Sequence, residues 1–167
     1  MTKLKIVTIV GTRPEIIRLS ALIPKLDRLT NHVLVHTGQN SDPKLNAVFF
    51  QDLELRAPDY YLNVDVTSMG SVMGDTIKKA EAVFAKELPD AVMILGDTNS
   101  AIAAVVAERM HIPVYHMEAG NRSFDANVPE ELNRRMIDHV SSFNLAYNDY
   151  SMRNLITEGI HPRRVSK

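Results

Sequence analysis

The sequence contains no cysteine, which excludes disulfide bonds, thiolate metal sites and a cysteine nucleophile. It also lacks any apolar stretch near the ~20 residues that a membrane-spanning helix needs. A net charge of −1 and the absence of a basic run remove the usual electrostatic basis for nucleic-acid binding. The apolar start is interrupted by Gly11 and Arg13, too early for a signal peptide. Together these absences predict a cytoplasmic protein that binds neither nucleic acid nor a membrane.

What is present is a regular alternation of apolar, strand-like runs with amphipathic, helix-like segments. At 167 residues, 45% of them hydrophobic, the chain is long enough for one domain with a substantial core. The predicted strands are Leu4 to Val10, His32 to His36, Ala91 to Leu95, Ile112 to His116 and Phe143 to Tyr147. Strands that alternate with helices form right-handed βαβ units, so we predict an α/β fold with a doubly wound parallel sheet.

Helix starts and apolar spacing predict the segments between the strands. The predicted helices run from Pro14 to about Leu29, from Ser68 to Leu88, from Asp97 or Thr98 to Met110, from Pro129 to about Ser141, and from Asp149 to near Gly159. Val165 has the character of a further strand that begins close to the last residue. We therefore expect the chain to be one domain of a longer protein.

Polar residues follow three of the predicted strands, in segments 11–15, 96–100 and 116–122. In an open α/β sheet, ligands bind outside the carboxyl ends of the strands. Because the carboxyl ends of parallel strands meet at one edge, these segments predict a single site that is rich in carboxylates and arginines.

The first of these segments has the features of an anion site. Pro14 begins a helix directly after a strand, and backbone N–H groups at a helix N-terminus attract phosphate. Arg13 and Arg18 could both reach such an anion. The segment has neither the three glycines of a dinucleotide fingerprint nor the Gly-Lys-Ser/Thr of a P-loop. The alternative is that Gly11 forms a tight turn and Arg13 is simply solvated.

Carboxylates dominate the other two segments. Asp97 and Glu118 each follow an apolar strand, where they would face the ligand edge, although Asp97 could equally cap a helix. Glu130 and Glu131 lie in the first turn of a helix, and the alternative for both is that they merely stabilise the helix dipole. His36 ends a strand and could contact a ligand. No metal site is predicted, since the cysteine ligands that would accompany a zinc-type His-x-Glu are absent.

The order and spacing of five motifs resemble the non-hydrolysing UDP-N-acetylglucosamine 2-epimerases. These motifs are GTRPE at 11–15, HTGQ at 36–39, GDT at 96–98, HMEAG at 116–120 and PEELNR at 129–134. The resemblance implies a glycosyltransferase-B type fold with two Rossmann-like domains, of which residues 1–167 would be the N-terminal one. The C-terminal, nucleotide-binding domain would be absent from this chain.

The resemblance also implies a mechanism and a set of residues. UDP leaves carbon 1 of the sugar while a base removes the carbon 2 proton, and the resulting glycal is reprotonated on its other face. By resemblance the catalytic residues are Asp97, Glu118 and Glu130, and the substrate-binding residues are Arg13, Arg18, His36, Gln39, Asn121, Arg122 and Arg134. The expected partner is a UDP-sugar, no cofactor is needed, the full-length protein is expected to be a homodimer, and the isolated 167-residue chain is expected to be folded but inactive.

Two departures from the usual family pattern leave the substrate open. Arg18 stands where the family usually has lysine. Residues 120–129 are similar to the subgroup that converts a UDP-linked 6-deoxy-L-talosamine derivative to UDP-N-acetyl-L-fucosamine. That sugar is therefore the alternative substrate to UDP-N-acetylglucosamine. The alternative functions are a glycosyltransferase of the same two-domain architecture and a non-enzymatic sugar-nucleotide sensor.

Overall fold

A computed structural model describes residues 3–39 and 43–167 of the chain. Seven strands form one sheet in which every neighbouring pair is parallel, in the order β3-β2-β1-β4-β5-β6-β7. The strands are β1 (Lys5–Val10), β2 (Asn31–His36), β3 (Tyr60–Tyr61), β4 (Ala91–Leu95), β5 (Val114–Met117), β6 (Phe143–Leu145) and β7 (Val165–Ser166). The sheet confirms the predicted doubly wound α/β fold.

Helices connect successive strands and cover the sheet. They are α1 (Arg13–Leu19), α2 (Ile23–Leu29), α3 (Pro43–Asp52), α4 (Met69–Glu87), α5 (Ala103–Arg109), α6 (Pro129–Val140) and α7 (Asp149–Thr157), with short 3₁₀ turns at Asn99–Ile102 and Pro162–Arg164. Among the described residues, no helix is both long and apolar enough to cross a membrane.

The apolar strands lie between two layers of helices, which is why their sequences do not alternate with polar residues. On one face, Val7 and Ile94 pack against Phe84 of α4 in the largest hydrophobic cluster. On the other face, Val10 packs in a second cluster with Ile16 of α1. This packing on both faces fixes the central strands, whose carboxyl ends carry the polar segments.

The strand register brings those carboxyl ends level with one another. Val10 of β1 pairs with His36 of β2, and Leu95 of β4 pairs with Met117 of β5. Val10 and Leu95 immediately precede polar segments, Met117 lies within the third segment, and His36 begins the HTGQ motif. The expectation that distant polar segments meet at one edge of the sheet is therefore met.

The structure differs from the predicted elements between β1 and β4. The helix expected from Pro14 to Leu29 is two helices, because Pro24 in the first turn of α2 has no N–H to donate and its ring clashes with the carbonyl one turn before it. Helix α3 and the short strand β3 were not predicted. Val165 does begin a strand, β7, as its sequence suggests.

Candidate functional site

Two adjoining cavities lie at the carboxyl edge of the sheet. The larger has a volume of about 400 Å³ and the smaller about 270 Å³. Asp97, Thr98 and Glu130 line both cavities. Gln39 lines the larger cavity, while Arg18, Glu118 and Arg134 line the smaller one. Six of the predicted site residues therefore meet in one continuous depression.

Two carboxylate–guanidinium pairs form the smaller cavity. Arg18 of α1 donates to Glu118, which follows β5. Arg134 Nε lies 2.6 Å from Asp97 Oδ2, at the end of β4. Helices on either side of the sheet edge thus supply a cation to each of two acids on neighbouring strands. Such a site offers groups for proton transfer together with donors for a developing negative charge.

Glu118 adopts an uncommon backbone conformation. Its φ is +66°, in the left-handed region that few residues other than glycine adopt. Its Oε1 accepts a hydrogen bond of 3.2 Å from Asn121 Nδ2. Residues held in this region often belong to functional sites whose surroundings enforce the strain. The turn therefore aims the Glu118 carboxylate at the cavity.

Glu15 is a buried carboxylate that joins two loops of the site. Its Oε2 accepts from the backbone N–H groups of Gly11 and Thr12, at 2.8 and 2.6 Å. Its Oε1 accepts from the Thr98 hydroxyl at 2.9 Å and from Ser100. Burial raises the pKa of Glu15 despite these hydrogen bonds. The segment after β1 is thereby fastened to the segment that carries Asp97.

The start of α6 separates its two adjacent glutamates. Glu130 is exposed and lines both cavities. Glu131 is buried and accepts from Ser123 and Arg135. Burial alone would raise the pKa of Glu131, but hydrogen bonds from Ser123 and Arg135 outweigh it and lower the pKa to about 2. Only Glu130 is placed for contact with a ligand.

Two residues predicted for the β1 and β2 ends lie beside the cavities. The Arg13 guanidinium carbon is 4.7 Å from the centre of the Phe49 ring. His36 is fully buried against Phe50 and Tyr61, and its Nδ1 accepts from Gly38 N–H at 3.0 Å. Burial lowers the pKa of His36 to about 4. Neither Arg13 nor His36 lines either of the two cavities described above.

Arg122 lines neither of the two cavities, and its contact with substrate stays a prediction. Its guanidinium is fully buried between Asp138 and Glu158. Burial opposes its charge, but the hydrogen bonds that Arg122 donates to Glu158 and Asp138 outweigh that effect and raise the pKa of Arg122. Asn121 reaches the site by donating from Nδ2 to Glu118. Its Oδ1 accepts from Ser151 Oγ at 2.9 Å.

Two buried acids that stabilise the site were not predicted from the sequence: Glu15, which joins the loops after β1 and β4, and Asp138, which contacts Arg122 and His116. A signal for Asp138 exists, because Glu131, Arg134 and Asp138 recur at three- and four-residue spacing and so share a face of α6. No group of three or more His, Asp or Glu side chains within residues 3–39 and 43–167 is arranged to hold a metal ion.

A family model described as UDP-N-acetylglucosamine 2-epimerase matches residues 25–167. The chain belongs to this family. It covers 44% and 45% of two curated relatives, so it spans about half the length of the family members it matches.

Solved structures agree with this assignment. A structure of UDP-N-acetylglucosamine 2-epimerase from Rickettsia bellii is 49% identical, with a TM-score of 0.91 over 98% of this chain and 44% of that one. The Methanocaldococcus jannaschii UDP-GlcNAc 2-epimerase, in complex with UDP-GlcNAc and UDP, is 40% identical, with a TM-score of 0.91 over 97% of this chain and 45% of that one.

Family members differ in the sugar they are named for. The UDP-2,3-diacetamido-2,3-dideoxy-D-glucuronate 2-epimerase of Pseudomonas aeruginosa is 36% identical over 167 residues, which cover 98% of this chain and 47% of the relative. A lipopolysaccharide outer core galactosyltransferase shares the fold alone, at 13% identity, 98% and 44% coverage, and a TM-score of 0.67. The fold is thus that of one half of a glycosyltransferase-B type protein, as predicted.

Proposed function

We propose that this chain supplies the acid–base part of the active site of a UDP-sugar 2-epimerase, with UDP-N-acetylglucosamine as substrate. The observation that carries the proposal is the pair of ion pairs, Arg18 with Glu118 and Arg134 with Asp97, beside Glu130. Family membership and the ligands of the M. jannaschii relative support the choice of substrate.

The chemistry of the sugar explains why such a site needs several acids. Carbon 2 is not next to a carbonyl, so its proton is too weakly acidic for simple removal. When a carboxylate takes that proton, the C–H electron pair forms the C1=C2 double bond while the C1–O bond breaks, and its electrons leave with UDP. Return of a proton to the opposite face of carbon 2, with re-addition of UDP at carbon 1, completes the inversion.

The residues have distinct parts in this scheme. Asp97, Glu118 and Glu130 transfer protons, because they lie around one cavity on three different segments. Arg18 and Arg134 stabilise the charge that develops on the departing diphosphate. Gln39, which lines the larger cavity, contacts another part of the substrate. A second domain supplies groups that bind uridine, and we expect the 167-residue chain alone to be inactive.

Proton NMR in D2O tests the reaction. The protein made from its complete reading frame is incubated with UDP-N-acetylglucosamine, and the carbon 2 signal is followed. We expect deuterium at carbon 2 and formation of the manno epimer. A folded protein that exchanges no deuterium at carbon 2 contradicts the proposed substrate, and turnover by the 167-residue chain alone contradicts the need for a second domain.

The alternative substrate is the UDP-linked 6-deoxy-L-talosamine derivative. It is favoured by residues 120–129, which form the loop between Glu118 and α6 and include the exposed Phe124 with a φ of +56°. The same NMR experiment with that sugar separates the two substrates. A glycosyltransferase is less well supported, because a shared fold alone does not establish function. A cytoplasmic location and a homodimer remain predictions.

A further inference from the structure

A buried charge cluster lies behind the two ion pairs, and the proposed mechanism does not use it. Asp138 of α6 has no solvent exposure. Its Oδ2 is 2.7 Å from Arg122 Nη1, and its Oδ1 lies 2.8 Å from His116 Nδ1 in a close contact that lacks hydrogen-bond geometry. The Gly120 N–H also donates to this carboxylate, at 3.1 Å from Oδ2. One carboxylate thus contacts three groups from the segment around Glu118.

His116 extends the cluster to the segment that carries Asp97. Its Nε2 donates to the carbonyl oxygen of Gly96 at 2.8 Å. Gly96 immediately precedes Asp97, and His116 lies two residues before Glu118. Asp138 is therefore connected to the segments of both acids in the smaller cavity. The Gly120 N–H links it to the segment of Glu118, and the imidazole of His116 links it to the segment of Asp97.

The turn that presents Glu118 is held from its other side by α7. Asn154 Nδ2 donates to the Gly120 carbonyl at 3.0 Å, and Ser151 Oγ donates to Asn121 Oδ1 at 2.9 Å. Gly120 has a φ of +81°, and a Cβ there would lie 2.2 Å from the Ser151 carbonyl oxygen. The left-handed conformation of Glu118 persists because these neighbours enforce it.

We propose that Asp138 is a positioning residue, which sets the spacing of Asp97 and Glu118 by fastening both of their segments to α6. The inference rests on the proposed function in assigning proton transfer to those two acids. Asp138 itself contacts no substrate, since it is fully buried behind the cavity. Arg122 belongs to the same cluster and completes it by pairing with Glu158, at 2.8 Å from Nε to Oε1.

The test compares Asp138→Asn with Asp27→Asn in the protein made from its complete reading frame. Asp27 forms a similar cluster with His32 and Arg56, at 2.6 and 3.0 Å, at the opposite edge of the sheet. Because a small misplacement of reacting groups is costly, we expect Asp138→Asn to lower kcat about 100-fold with KM within about 3-fold. Asp27→Asn is expected to change kcat by less than about 2-fold, since it leaves these segments untouched.

A second readout does not depend on activity. Amide hydrogen exchange of Gly120 is expected to accelerate at least about 10-fold in Asp138→Asn, while exchange at Val7 in β1 stays unchanged. Unchanged kcat in a folded Asp138→Asn protein, or unchanged exchange at Gly120, overturns the positioning role. If the wild-type protein epimerises no UDP-sugar, the proposed function fails, whereas the exchange measurement still decides whether Asp138 holds the turn.

A milder variant covers the case in which Asp138→Asn does not fold. Ser151→Ala removes only the hydroxyl that holds Asn121 beside Glu118. Loss of one such hydrogen bond is expected to lower kcat by about 2- to 10-fold at unchanged KM. A kcat equal to that of the wild type would show that Glu118 needs no fastening of its turn, and it would overturn the positioning role of Asp138.

Discussion

Two clusters, each built on one histidine, one aspartate and one arginine that also pairs with a second acid, Glu158 or Asp59, occupy opposite edges of the sheet. The first joins His116, Asp138 and Arg122 beneath the cavities, and Asp138 and Arg122 are completely buried. The second, His32 with Asp27 and Arg56, leaves 29% of the Asp27 side chain and 32% of the Arg56 side chain exposed.

The comparison shows that burial and position, more than residue type, decide what such a cluster does. Half-exposed ion pairs contribute about 0–1 kcal/mol because water screens them. Removal of one partner from a buried pair costs about 3–5 kcal/mol, since a charge is left unpaired. The cluster of Asp138 also touches both segments of the proposed site, while that of Asp27 ties β2 to α2.

Arg122→Met should produce the largest loss of stability. It leaves the buried Asp138 without its guanidinium partner, so we expect the free energy of unfolding to fall by about 3–5 kcal/mol. Urea denaturation measures this change. A loss below about 1 kcal/mol would show that Arg122 contributes no more to the free energy of unfolding than an exposed arginine does.

Protonation of His36 should destabilise the fold at acidic pH by roughly 3 kcal/mol. Among the described residues His36 has no acidic partner, and burial lowers its pKa from 6.5 to about 4. The unfolded chain binds the proton more readily than the folded protein. The folded state therefore has its full stability above pH 6.5 and loses stability as the pH falls towards 4. Unfolding free energies of the wild type and His36→Gln across this range measure it. A wild-type curve no steeper than that of the variant would contradict the assignment.

Glu15→Gln should destabilise the protein by about 1–3 kcal/mol, because the amide cannot accept from all the donors that surround Glu15. The donors concerned are Gly11, Thr12, Thr98 and Ser100. Glu81→Gln, on the exposed face of α4, is the matched control and should change stability by less than about 0.5 kcal/mol. Thermal and urea unfolding compare the two. Equal effects would mean that the link between the loops after β1 and β4 contributes nothing.

Arg56→Met should have the smallest effect, about 0–1 kcal/mol, because Asp27 remains partly solvated. The measurement is the same urea titration as for Arg122→Met. A loss as large as that of Arg122→Met would remove the distinction between the two clusters on which this comparison depends.

Much of the fold could be predicted because β4 is wholly apolar, β1 is mainly apolar, and the polar segments follow them directly. The break at Pro24 was also readable from the sequence, but the apolar spacing across it suggested a continuous helix. The His32 side chain is fully buried because Asp27 of α2 and Thr8 of β1 provide its polar partners, which the sequence around His32 does not indicate.

From the strand pattern, Asp97 and Glu118 could be placed at the site because both come just after a strand, whereas Gln39, Glu130 and Arg134 were assigned by resemblance. The burial of Arg122 depends on how α6 and α7 pack around it, which neighbouring residues in the sequence do not specify. The left-handed conformation of Glu118 likewise depends on contacts with Asn121, Ser151 and Asn154. The residues that support the site could therefore be identified only from the structure.

The most direct test of the central claim is deuterium exchange at carbon 2 of the UDP-sugar, measured for Asp97→Asn and Glu118→Gln in the protein made from its complete reading frame. Removal of a proton-transferring group is expected to slow exchange by about 10²–10⁴-fold, while Asp27→Asn exchanges at close to the wild-type rate. Exchange at the wild-type rate in either carboxylate variant would contradict the assignment of proton transfer to this site.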